Sequence, residues 1–207
     1  NNLKNFISKN FSIDEINFIN KIGKLTQIVK KSTPLNYNHG FIIHHYLTKY
    51  IDEKKCNNIN ILETGTARGF SSIIMSRVLI NKKVSKGSIY TLDILPHNVK
   101  MYWNCISDPI NGKVTRKELI KEYVEYSKNI NFIEGFSYKT LKKLNLDRIN
   151  FAFLDGAHDY FNVKFEYEYV KERQKPGDII IFDDVTPHLF DGIVKLIDQI
   201  KKSGEYN

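Results

Sequence analysis

The feature that most constrains this chain is a series of five short, largely apolar segments, each ending on an acidic residue and each followed by a helix-like stretch. They run from Ile59 to Glu63, Ser88 to Asp93, Asn131 to Glu134, Asn150 to Asp155 and Asp178 to Asp183. Helical periodicity follows at about 70–80, 115–128, 137–144, 159–174 and 189–202. Strand–helix alternation kept up through five repeats predicts an α/β fold with a doubly wound, mostly parallel sheet. The fourth and fifth segments are almost continuously apolar, as strands covered by helices on both faces need to be. A chain of 207 residues is long enough for one such core.

Ahead of this series, Ser12 and Glu15 form a capping-box pattern at the head of a helix over 12–31, with Ile16, Ile19, Ile22 and Leu25 on one face. Pro34 separates it from a second helix over 38–52 carrying Phe41, Ile42, His45 and Tyr46. These predict an N-terminal helical cap, residues 1–56, beside a ligand-binding domain, residues 57–207. His44 and His45 diverge by about 100° on a helix, so they read as structural rather than as a shared ligand.

Composition narrows the class of partner. No apolar run approaches the roughly 20 residues of a membrane span. The opening Asn1-Asn2-Leu3-Lys4 has neither an initiator Met nor a signal-peptide pattern, which suggests a piece of a longer chain and leaves targeting open. Cys56 and Cys105 lack metal-site spacing and read as free thiols of a reducing cytoplasm. The net charge of +8 would attract nucleic acid. Its lysines are scattered as isolated pairs such as Lys54-Lys55, Lys82-Lys83 and Lys142-Lys143, however, with no nucleic-acid-binding motif. Codon bias explains the lysines equally well, and a small-molecule partner is favoured.

In sheets of this kind, ligands bind beyond the carboxyl ends of the strands, where the strand order reverses. Those ends carry Glu63-Thr64-Gly65, Asp93-Ile94, Glu134-Gly135, Asp155-Gly156 and Asp183-Asp184. In the first loop, Gly65 and Gly69 let the backbone bend and approach a ligand, and the following helix offers free N–H groups to an anion such as a carboxylate. A dinucleotide fingerprint would need glycine at 67 and 70, where Ala67 and Phe70 stand, and no P-loop lysine is present. Pyrophosphate recognition is therefore disfavoured. Asp93 stands where an acidic group meets a ribose diol. A nucleoside without a diphosphate fits this pattern, and S-adenosylmethionine is one. The connection over 95–113 is long and holds Tyr102, Trp103 and Pro109, which read either as an acceptor wall or as core.

Four motifs in order carry a family resemblance: Glu63-Thr64-Gly65-Thr66-Ala67-Arg68-Gly69-Phe70-Ser71, then Asp93, then Phe153-Leu154-Asp155-Gly156-Ala157-His158, then Pro176-Gly177-Asp178 through Phe182-Asp183-Asp184-Val185. Over residues 59–186 the chain resembles class I S-adenosylmethionine-dependent methyltransferases. Within these it is most similar to the metal-dependent small-molecule O-methyltransferases of catechol, caffeoyl-CoA and macrolide-sugar type. The resemblance implies a Rossmann-like methyltransferase sheet with N-terminal helices. It implies that Glu63, Thr64, Gly65 and Thr66 line the methionine part of the cofactor, with Gly69 and Ser71 shaping the loop and helix start. Asp93 would hold the ribose, Ile94 would pack on the adenine, and Gly135, Phe136 and Ser137 would pass its edge. The loop at Asp155 would close the methyl end. Ala67 departs from the glycine of many relatives.

Asp155, Asp183 and Asp184 match the family's metal-ligand positions. If the fourth and fifth strands are neighbours, three carboxylates meet, and an oxygen-only set suits Mg²⁺, Mn²⁺ or Ca²⁺, with Mg²⁺ preferred. Such an ion would lower the pKa of an acceptor hydroxyl. His158 stands where catechol-type relatives carry a catalytic lysine and is the candidate base beside Asp155, with His188 in reserve and Tyr160 as a pocket residue. The expected reaction is metal-assisted O-methylation of a small-molecule hydroxyl on a sugar or phenol, and a homodimer is compatible with it. Relatives continue beyond Asn207 into two more strands; either these are missing here or this protein is shorter than the family. Competing readings are a nucleic-acid or protein methyltransferase, a related metal-containing hydroxylase, a nicotinamide-dependent oxidoreductase and a non-catalytic cofactor-binding module.

Overall fold

The structure is a computed structural model that describes residues 2–30 and 36–206. Lys31, at the end of the first expected helix, and Pro34, the expected separator, lie outside the described residues. The chain divides into two compact units, one helical (2–56, 67–84, 96–129) and one built on the sheet (57–66, 85–95, 130–206).

The helical unit contains α1 (Asn2–Asn10), α2 (Ile13–Thr26), α3 (His39–Lys54), α4 (Phe70–Asn81), α5 (Asp108–Asn111) and α6 (Arg116–Leu119). Helix α1 was missed in the sequence, although Leu3, Phe6 and Ile7 recur at helical spacing, and the four-residue α5 is too short to show a period. Only half of the Ser12–Glu15 capping box forms. Ser12 Oγ accepts the Glu15 N–H at 3.2 Å, but the Glu15 carboxylate forks onto Arg77, with contacts of 3.0 Å, and lies 3.2 Å from His44 Nε2. Burial alone would raise the Glu15 pKa; the hydrogen bonds from His44 and Arg77 outweigh it and hold the group at about 2. His44 is thus committed to Glu15, while His45 meets the ring of Phe6 edge-on at 4.9 Å, so the adjacent pair diverges.

Helix α2 stops at Thr26, short of the expected 31. There the threonine hydroxyl donates back to the Ile22 carbonyl at 2.7 Å and Gln27 turns extended. The single helix expected over 115–128 is also broken. A complete capping box, Thr115 with Glu118, starts α6, and two 3₁₀ turns follow at Lys121–Tyr123 and Tyr126–Asn129. Both tyrosine rings pack edge-on against Phe18, at 5.6 and 5.3 Å, and this tertiary demand overrides a segment that opens with good helix formers, Arg116 to Leu119.

The sheet unit holds β1 (Asn58–Thr64), β2 (Lys86–Asp93), β3 (Ile130–Glu134), β4 (Phe151–Leu154) and β5 (Ile179–Phe182), with helices α7 (Ser137–Thr140), α8 (Tyr160–Lys171) and α9 (Asp191–Ser203). All pairings are parallel and the order is β3-β2-β1-β4-β5, the expected doubly wound arrangement. In place of the helix expected over 137–144 there is the one-turn α7 and a 3₁₀ turn at Leu141–Lys143. Alternate residues such as Leu62, Ala152 and Leu154 pack with Val163 and Val170 of α8 and Ile193 and Leu196 of α9. β4 is buried throughout, whereas every residue of β5 is only half-buried, because it forms one edge of the five-stranded order. Full cover of the fifth strand, expected from its apolar sequence, is therefore not seen. At the opposite end from the loops, Asn60 and Asn150 lock β1 to β4: the Asn150 N–H donates to the Asn60 carbonyl at 2.9 Å, and the Asn60 N–H donates to Asn150 Oδ1 at 3.0 Å. Among the described residues no helix is long and apolar enough to cross a membrane. Cys56 and Cys105 are both free, and burial pushes the Cys105 thiol up.

Candidate active site

The strand order turns outward in both directions from the β1–β4 pair, so the loops leaving these two strands part company there. Gly65 makes the close approach this requires. Its φ is +87°, and an added Cβ would stand 2.0 Å from the Asp155 carbonyl oxygen. The bend is held from both sides: Gly65 donates its N–H to the Leu92 carbonyl at 2.8 Å, and the Asp155 N–H reaches the Thr64 carbonyl at 3.0 Å.

Glu63 points into the sheet unit with 0% exposure. Strand register places it beside Thr91 of β2, whose hydroxyl donates to its carboxylate. The Thr91 hydroxyl is also paired with that of Thr66, so Glu63, Thr91 and Thr66 form one buried chain under the bend. Thr91 was missed in the sequence. It lies two residues before Asp93 on the same strand face, so the period of two pointed to it.

Asp93 ends β2, half-buried, and accepts the Leu95 N–H at 2.8 Å through Oδ1, while its own carbonyl accepts the Gly135 N–H at 2.8 Å. Ile94 beside it is 60% exposed. The third loop turns at Gly135, φ +142°, where a Cβ would meet Thr140 Oγ1 at 2.5 Å. Phe136 is exposed, and the Ser137 side chain turns down to bond with Glu166 of α8.

Asp155, His158 and Asp184 come together: one ligand-type atom from each lies within 4.8 Å of the others. His158 Nε2 stands 3.2 Å from Asp184 Oδ2 and 3.7 Å from Asp155 Oδ1, is buried, and has no well-formed hydrogen bond among the described residues. The Asp155 side chain chiefly raises the His158 pKa, burial opposes, and Asp184 and Asp183 add to the rise. The ring rests on Phe190 at 4.4 Å. Asp184 takes a left-handed φ of 53°, a costly conformation for a non-glycine residue, and its N–H donates to Asp183 Oδ1 at 2.9 Å. Asp183 thus supports the turn and stands outside the three-residue group. His188 is exposed, and its N–H caps onto Asp191 at 2.9 Å. The Tyr160 hydroxyl turns to Gln199 at 2.7 Å. Asp159, not His158, caps α8 by accepting the N–H groups of Phe161 and Asn162.

In the helical unit, Gly69 caps α4 with φ +87° and Ser71 is buried in its first turn. Ala67 is left-handed at φ 44°. Its carbonyl accepts from Arg116 Nε at 2.8 Å, and the buried Arg116 guanidinium stands 5.3 Å from the ring centre of Trp103. Trp103 is 1% exposed and its indole N–H donates to the Val114 carbonyl at 2.8 Å, so its place is in the core, whereas Tyr102 is 60% exposed. The alanine is therefore clamped where glycine would sit without strain. Ala67→Gly is expected to raise the unfolding free energy by about 0.5 kcal/mol, relief of the left-handed cost outweighing the added chain entropy. Urea denaturation checks this, and a loss above about 1 kcal/mol contradicts the strain argument.

Comparison with solved structures finds the same fold in known proteins. The O-methyltransferase NovP superposes with a TM-score of 0.65 at 15% identity over 93% of this chain and 92% of its own. A Bacillus cereus O-methyltransferase in complex with SAH gives 0.58 at 17% identity, over 93% of this chain and 80% of that one. The calicheamicin methyltransferase CalS11 gives 0.57 at 15% identity, over 92% and 85%. These likenesses are of fold. No curated protein matches by sequence. A methyltransferase-domain family matches residues 62–185, from the middle of β1 to just past Asp184, and the chain belongs to that family.

Proposed function

We propose that the chain is an S-adenosylmethionine-dependent O-methyltransferase acting on a hydroxyl of a small molecule or sugar in a reducing cytoplasm, with 57–207 as its catalytic domain and 1–56 as a helical cap. The observation that carries this is the pair of carboxylates at adjacent strand ends, buried Glu63 and half-buried Asp93, on either side of the Gly65 bend. NovP and CalS11 are named as methyltransferases, and the Bacillus cereus relative carries SAH. When bound, S-adenosylmethionine supplies a sulfonium methyl to an acceptor oxygen. Asp93 accepts from both ribose hydroxyls, as an ionised carboxylate does best. Ile94 and Phe136 offer apolar faces to the adenine. Glu63 and Thr66 hold the amino-acid end through their hydrogen-bonded chain. The roles of Gly69 and Ser71 enter from the motif alone. His158 takes the acceptor's hydroxyl proton at Nε2. The facing carboxylates of Asp155 and Asp184 stabilise the imidazolium that forms.

A second reading rests on the same three side chains. Two carboxylates and an imidazole nitrogen without a hydrogen bond fit a divalent cation. Such an ion would supply positive charge that acidifies an acceptor hydroxyl. With His158 among the donors, the set moves from Mg²⁺ toward Mn²⁺, and Asp183 serves as support rather than as ligand.

Calorimetry with S-adenosylmethionine, with and without Mg²⁺ or Mn²⁺, tests both readings. Asp93→Ala is expected to weaken cofactor binding by about 30-fold or more, the worth of two charge-assisted hydrogen bonds. Asp184→Asn is expected to leave cofactor affinity intact and remove any response to metal. Unchanged affinity in Asp93→Ala overturns the ribose assignment.

A further inference from the structure

Helix α8 carries an acidic side chain in its second turn that the proposed chemistry does not use. Glu166 is 1% exposed, and burying a carboxyl in a helix that packs on a sheet is costly unless the group is bonded. Its bonds all go to the loops at the carboxyl ends of the strands. Oε2 accepts from the Thr64 hydroxyl at 2.8 Å, at the end of β1. The Ser137 side chain, just after β3, bonds to it as well. Gly156, just after β4, passes so close that a Cβ there would stand 3.3 Å from Glu166 Oε1 and 3.0 Å from Thr64 Oγ1. One carboxyl therefore bonds to the first and third loops and lies close under the fourth. Burial is the largest influence on it and pushes its pKa to about 7, against the bonds from Ser137 and Thr64; Asp159 adds to the rise and His158 opposes it. A carboxyl that keeps a proton about half the time at neutral pH is cheaper to bury here than a permanently charged one.

We infer that Glu166 is a positioning residue that fixes the relative placement of the Thr64, Ser137 and Gly156 loops, and so presets the cofactor cleft before any ligand arrives. The inference rests on the cofactor site proposed above, and its test separates the two.

Hydrogen exchange by mass spectrometry on the ligand-free full chain compares the parent with Glu166→Gln, Glu166→Leu and Thr64→Val, followed by calorimetry with S-adenosylmethionine. In Glu166→Leu, peptides covering 64–66, 135–138 and 155–158 are expected to exchange about tenfold faster while β1 interior and α9 peptides stay at parent rates. Cofactor affinity should fall about tenfold, and Glu166→Gln, which keeps the hydrogen bonds, should restore both readouts. Thr64→Val removes one arm without touching α8, and should loosen the first loop alone. Parent-like exchange in all three loops of Glu166→Leu, or equal acceleration of loops and core, overturns the inference. A parent that binds no S-adenosylmethionine sinks the methyltransferase-site reading instead, and the exchange comparison still decides the role of Glu166.

Discussion

Gly65→Ala costs about 4 kcal/mol of stability and leaves no measurable cofactor binding. The alanine methyl would have to occupy space 2.0 Å from the Asp155 carbonyl oxygen and 2.5 Å from its carbon. These are backbone atoms, and the Asp155 N–H is already tied to the Thr64 carbonyl, so neither side can yield without unzipping the end of the β1–β4 pair. A φ of +87° adds strain of its own. Gly69 is the internal control. It has the same φ, but an added Cβ would find nothing closer than Ile120 Cδ1 at 3.5 Å, so Gly69→Ala should cost only about 1 kcal/mol. Urea denaturation of the two variants measures the contrast, and equal losses would show that backbone conformation, not the close approach, is what Gly65 supplies.

The second large effect is on pH. Burial raises the Glu166 carboxyl from 4.5 to about 7, so the folded protein keeps a proton that the unfolded chain has released. The resulting stability is fully present below pH 4.5 and is lost as pH rises through about 7. A shift of this size corresponds to about 3 kcal/mol between pH 4.5 and pH 8. His158, raised by Asp155, acts in the same direction over a window that starts at its ordinary value of 6.5. Glu15 acts in the opposite sense and elsewhere: lowered to about 2, it contributes stability above pH 4.5 that disappears on acidification. The Glu166 share is isolated by subtraction. Urea midpoints of the parent should fall from pH 5 to pH 8, and those of Glu166→Gln should fall much less. Parallel slopes for the two proteins would contradict the assignment.

What could be read in advance follows from how local each signal is. Glu63, Gly65, Asp93 and Gly135 announced themselves because strand ends and sharp turns leave short, ordered signatures. The meeting of Asp155 with Asp184 followed from the expected adjacency of β4 and β5. That His158 joins them, while Asp183 turns aside, depends on the left-handed backbone at Asp184, which residue types do not encode. Glu166 was invisible for a different reason. The α8 segment carries glutamates at 166 and 168 among the aromatic residues Phe165, Tyr167 and Tyr169, and only the completed packing buries the first. Likewise the run after Thr115 looks helical until Phe18 claims Tyr123 and Tyr126.

The central place of β1 shapes how the nascent chain matures. One margin of β1 is matched early by β2, the next strand to be synthesised. The other margin waits for Phe151–Leu154, made only after β3 and the whole stretch before it. Throughout that interval β1 presents unmatched N–H and C=O groups together with Ile61 and Leu62, a surface on which another unfinished chain can add itself. Productive maturation of this protein is thus a race between translation of the second half and association of first halves, and slow codons placed before residue 151 would tilt it toward aggregation.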